Sequence, residues 1–164
     1  MADFESAGRI IRVRLEEHEV GLLQSLLAEM RTLLDANVRA DPVNRRLFPD
    51  AYDSEEDSNA YHELVGSELR TDKLAAVKEM QAGLGSGEAG TIELSEDEAA
   101  TWLPVLTDMR LAIGTRNDVT EETMDKDVDP DDPGSAGILV LHWLGWLQES
   151  LLEALTKMGA EERE

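Results

Sequence analysis

The stretch GILVLHWLGWLQESLLEAL, residues 137–155, decides the fold, because so apolar a segment must be hidden somewhere in a 164-residue chain of formal net charge −21. It follows the acidic run DVDPDDP (residues 127–133) after Gly134, Ser135 and Ala136. The longest uncharged stretch, Pro133 to Gln148, falls short of the roughly 20 apolar residues that cross a bilayer, and acids flank it on both sides. At about 100° per residue, His142, Gly145, Glu149 and Glu153 gather in one narrow stripe, while leucines, valine and two tryptophans cover most of the remaining circumference. A helix apolar nearly all round has to be surrounded, so the segment reads as the central helix of the core. Part of it is also a candidate surface for a partner or a second copy, with Trp143, Trp146, Leu139 and Leu147 as contact residues, since aromatic anchors dominate such interfaces.

Two shorter patterns supply the rest of the architecture. RIIRVRL, Arg9 to Leu15, alternates with Ile11, Val13 and Leu15 on one side, which predicts a half-buried strand. From Glu16 to Ala36 the period lengthens, and Val20, Leu23, Leu27, Met30 and Leu34 predict an amphipathic helix. Helical character returns from about Glu55 to Gln81, with a break expected near Thr71, and the glycine-rich GLGSGEAG (residues 83–90) reads as a linker. TIEL predicts a second strand, and Ser95 with Glu98 forms a capping box opening a helix whose apolar stripe runs from Ala99 to Ile113, with Pro104 inside it and Gly114 at its end.

Displacing the chain by 79 residues lays VRLEEHEVGLLQSLLAEMRTLL over IELSEDEAATWLPVLTDMRLAI with six identities in 22 positions. Val13 then meets Ile92, and Met30-Arg31 meets Met109-Arg110. The expected architecture is therefore a single α+β domain, predominantly helical. Two short antiparallel strands and four to five helices surround the apolar last helix, organised as two strand-helix repeats, residues 8–82 and 91–158. Arg31 and Arg110 fall within the apolar stripes of their helices, where a guanidinium needs a counter-charge or must snorkel to water. Glu149 is the carboxylate the last helix offers, so Arg31 or Arg110 is expected to pair with Glu149.

The charge is unevenly spread. The first 46 residues hold seven arginines and eight acids, so nearly all the excess negative charge lies after Arg46. Most of such a surface repels a phosphate backbone. Arg9, Arg12, Arg14, Arg39, Arg45 and Arg46 are the one dense basic set, and Arg12, Arg14, Arg45 and Arg46 are the candidates for contacting a partner. There is no cysteine, which removes disulfides, thiolate nucleophiles and thiol redox switches. His18, His62 and His142 show no ligand spacing. Asp53, Glu55 and Asp57, like Asp125, Asp127 and Asp129, imitate the start of a calcium loop without its later glycine and glutamate. Neither the glycine-rich linker nor Ser86 sits in a phosphate loop or nucleophile elbow, so no catalytic, cofactor or metal residue is assigned. MADFESAGR shows no cationic and apolar leader, which fits a cytoplasmic protein.

The order of the N-terminal strand and the helix start at His18-Glu19, RRLFPDAY with Arg46, Leu47, Pro49 and Tyr52, IELSEDEAATW up to Trp102, DMRLAIG from Asp108 to Gly114, and WLGWLQE from Trp143 to Glu149 resembles an actinobacterial family of small acidic proteins. That family was catalogued as a domain of unknown function, and some of its members are described as oxidative-stress transcriptional regulators. The resemblance implies a cytoplasmic, mostly helical, non-enzymatic regulatory protein that acts on transcription through a protein such as a sigma factor, and the apolar surface near Trp143 and Trp146 adds the expectation of a homodimer. Cysteine-based sensing does not carry over to a chain without cysteine. A direct DNA-binding regulator is the rival reading, and a small hydrolytic or metal-dependent enzyme the third.

Overall fold

A computed structural model of the chain describes residues 2–35, 67–85, 89–116 and 136–162. They form β1 (Asp3–Ala7), β2 (Ile10–Leu15), α1 (Glu17–Asp35), α2 (Ser67–Leu84), β3 (Gly90–Ser95), α3 (Glu96–Arg116) and α4 (Ala136–Glu162). The class is α+β and mostly helical: four helices among the described residues and one three-stranded antiparallel sheet of order β1-β2-β3.

The sheet has one strand more than the sequence predicts. DFESA holds a single large apolar residue, so no alternation marks it as a strand. It becomes one through its neighbours. Gly8, at φ 65°, and Arg9 make a two-residue turn that folds β1 back on β2, pairing Ala7 with Ile10 and Phe4 with Val13. The alternation in β2 works as expected: Ile11, Val13 and Leu15 are buried against the helices and Arg12 and Arg14 are exposed.

One continuous apolar cluster joins every element, with Leu23, Leu27, Met30 and Leu34 from α1, Val77 and Met80 from α2, Leu106 and Met109 from α3, and Leu144, Leu147 and Leu151 from α4. The helix with neighbours on most sides is α3, which packs against α4, α2, α1 and the two strands β2 and β3. The last helix, expected at the centre, lies mainly along α3 and β1. Its buried stripe is Leu141, Leu144, Leu147, Leu151, Ala154 and Met158, and its other side faces outward among the described residues.

Local signals held in some places and gave way in others. The capping box forms as written, with the Ser95 amide donating to Glu98 Oε1 and the Glu98 amide donating to Ser95 Oγ, each at 3.2 Å. The expected break near Thr71 is absent, because α2 runs without interruption from Ser67, and Gly114 lies inside α3 rather than ending it. Helix-forming neighbours on both sides carry the backbone through these single weak positions. Of the expected linker, Gly83 and Leu84 complete α2, Gly85 ends it at φ 73°, and Gly90 already belongs to β3. The expected helix over residues 55–66 lies outside the described residues.

Several features match at the 79-residue displacement. Val13 pairs with Ile92, its own counterpart, in the β2–β3 ladder. The helices α1 and α3 begin at Glu17 and Glu96. At both starts a glutamate reaches back to the amide three residues earlier, Glu19 to Glu16 at 3.1 Å and Glu98 to Ser95.

Candidate protein-interaction surface

The described residues among those singled out in the sequence are buried, half-buried or exposed. Leu147 is 2% exposed and belongs to the core, so it cannot contact a partner. The sixteen uncharged residues from Pro133 to Gln148 could not reveal which side of the helix faces inward; the packing of α3 decides it. Trp143 and Trp146 are half-buried and already engaged within the chain. Trp143 Nε1 donates to Glu19 Oε2 at 3.1 Å, and the Trp146 ring meets Phe4 edge to face with centroids 6.3 Å apart. Leu139 is 39% exposed and Leu152 54%. On a helical wheel they stand about 140° apart, on opposite shoulders of an outer face that carries His142, Glu149, Glu153 and Thr156. The exposed apolar atoms of α4 therefore make two small patches flanking a polar stripe.

The two stripe arginines do not pair with Glu149. Arg110 donates to Gln148 Oε1 at 3.0 Å, and Arg31 to Gln81 Oε1 at 3.3 Å. Both arginines and Glu149 are exposed, so snorkelling has brought the guanidinium groups to water, where a neutral amide suffices. Arg110 lies over Gly145, where a Cβ would stand 3.6 Å from Arg110 Cζ, an ordinary van der Waals contact. The glutamines finish each clasp. Gln148 Nε2 donates to the Leu103 carbonyl and Thr107 Oγ1 across α3, and Gln24 Nε2 donates to the Gln81 and Gly85 carbonyls at the end of α2, satisfying acceptors that a helix terminus leaves open.

The outer face of the sheet is a lattice of opposite charges. Arg12 stands 3.5 Å from Glu93, and Arg14 reaches Glu5 at 3.6 Å and Asp3 at 4.0 Å. These two partner-contact candidates are exposed but balanced by carboxylates of the adjoining strands, which such cross-strand positions favour. Arg45 and Arg46 lie outside the described residues, as do the calcium-like acids at 53–57 and 125–129, His62 and Ser86. His18 is exposed, 3.5 Å from Glu16. Among the described residues no group of three or more histidines, aspartates or glutamates is arranged to hold a metal, and no helix is long and apolar enough to cross a membrane.

Two buried charges escaped the sequence reading. Glu19 is 3% exposed, and its carboxylate accepts from the amides of Ala2 and Glu16 as well as from Trp143 Nε1, tying the start of β1, the start of α1 and the last helix to one group. Asp108, in the middle of α3, accepts from Lys73 Nζ of α2 at 2.8 Å. It falls on the α3 face of Val105 and Ala112, about 100° from Met109 and outside the apolar stripe the sequence shows, so the pattern carried no signal for its burial.

Residues 1–155 match the family model described as a domain of unknown function, DUF2017. Among curated proteins, the oxidative stress regulator AosR of Mycobacterium bovis and that of Mycobacterium tuberculosis are each 28% identical to the chain, over 93% of it and 84% of their own length. No solved structure matches the chain.

Proposed function

The chain belongs to the DUF2017 family, and from that membership we propose that it is a non-enzymatic regulatory protein that acts on transcription by contacting another protein, with a sigma factor as the favoured class of partner. The name shared by its mycobacterial relatives supports the regulatory half of this reading. The observation that carries the protein-mediated half is electrostatic. On a chain of net charge −21, the exposed arginines of the sheet stand among the carboxylates of Glu93, Glu5 and Asp3, which repel a phosphate backbone even where an ion pair opens.

The signal is assigned to the partner as well. The chain has no cysteine, and its described methionines Met30, Met80, Met109 and Met158 are all buried, which shields their thioethers from a soluble oxidant. Self-association belongs to the same proposal, through the Leu139 shoulder of α4. Sedimentation equilibrium of the wild type against Leu139→Glu tests it: a dimer lost in the variant supports the assignment, and a monomeric wild type refutes it.

Fluorescence-anisotropy titration of labelled duplex DNA at 50 mM and 200 mM salt separates the protein-mediated route from direct DNA binding. The proposal expects no saturable binding at either salt. Tight binding at the lower salt that collapses at the higher would transfer the function to DNA contact.

A further inference from the structure

A cleft of about 350 Å³ runs between β1 and α4, lined on the strand side by Asp3, Phe4, Glu5 and Ser6. Alternate residues of a strand point to opposite faces, so four consecutive residues can line one cleft only if it follows the strand's edge. That edge is the outer one. In the order β1-β2-β3, β1 pairs with β2 alone, and among the described residues no backbone group bonds to its far side. An open edge offers a row of main-chain donors and acceptors to another extended chain. The opposite wall contributes Trp146, Ser150 and Ala154, and acids dominate the rim: Asp3, Glu5 and Glu153 against Lys157, which lies 3.2 Å from Glu153.

We propose that this cleft docks an extended basic segment of a partner protein, which adds to β1 as a fourth strand and lays an arginine or lysine side chain against Trp146 among the rim carboxylates. Charge complementarity selects this occupant. A cation gains from both the indole ring and the acids, while an acidic or phosphorylated segment would meet Asp3, Glu5 and Glu153. The rim ion pairs with Arg14 and Lys157 are exposed, and such pairs give way at little cost. The inference rests on the protein-mediated reading above and supplies the chemistry of its partner.

The test uses the full chain and two octapeptides of alternating valine and arginine, one unmodified and one N-methylated on every backbone amide, with equal charge and no main-chain donor on either edge to pair as a strand. Isothermal titration at 150 mM salt should show one-to-one binding of the first and at least tenfold weaker binding of the second. Hydrogen exchange should slow at the β1 amides. Ser150→Trp, which fills the cleft, should abolish binding, and the exposed charge reversal Glu153→Lys, a second variant independent of cleft shape, should weaken it threefold or more. Equal binding of both peptides would reduce the effect to the overall charge of the protein and overturn the proposal, as would absence of binding or indifference to both variants. If tagged Ser150→Trp protein still captures from cells the same partner as the wild type, the groove is wrong and the regulatory reading stands. If the wild type captures no partner, that broader reading fails.

Discussion

Glu19 shows how one buried residue can link distant parts of the chain. Its carboxylate takes three donors, from Ala2, Glu16 and Trp143, and no apolar replacement can satisfy them. An unmet buried donor costs about 1–3 kcal/mol, and water entering the vacated space will satisfy some of the three. Glu19→Ala should therefore destabilise the fold by about 2–5 kcal/mol in urea unfolding, with a change in Trp143 emission. A loss below 0.5 kcal/mol would show that the three contacts are not made. Gly145 makes the opposite case. A methyl group there meets Arg110 at ordinary van der Waals distance, so Gly145→Ala should raise stability by about 0.5–1 kcal/mol through the better helix former. These roles were poorly legible beforehand. Arg31 and Arg110 stood out because they are charged, whereas Gln81 and Gln148, which receive them, are neutral amides that no charge count flags.

Among the elements, the strongest periodicities read directly into structure: β2, α1, β3 and the start of α3 all lie within a residue or two of where their patterns place them. What the patterns missed was decided by pairing. β1 exists because β2 offers it an edge and Trp146 gives Phe4 a neighbour, and neither is local to DFESA. Leu147 was misplaced for a related reason, since a nearly uniform apolar surface on α4 carries no record of which side α3 covers. The capping box at Ser95 does act locally, so Ser95→Ala should cost about 1 kcal/mol of stability, measured by thermal unfolding. No measurable loss would mean that α3 starts without it. From the matched strand register and helix starts we propose that the halves are two copies of one unit. A crystal structure in which residues 13–35 do not superpose on 92–114 would remove that idea.

For the molecule as a whole, the two dominant facts are a single continuous core and a large negative charge. Self-repulsion of that charge opposes compaction and is screened by salt. Raising sodium chloride from 10 to 150 mM should therefore raise the melting temperature, and a salt-insensitive or falling value would count against that electrostatic account. The same charge separates the candidate functions, because a polyanion regulates transcription more readily through a protein than through the phosphate backbone. The most direct test is affinity purification of the tagged chain from its own cells after nuclease treatment, with the co-eluting material quantified. The account predicts a near-stoichiometric protein partner of the transcription machinery that survives the nuclease. Recovery of protected DNA with no protein in comparable amount would contradict it.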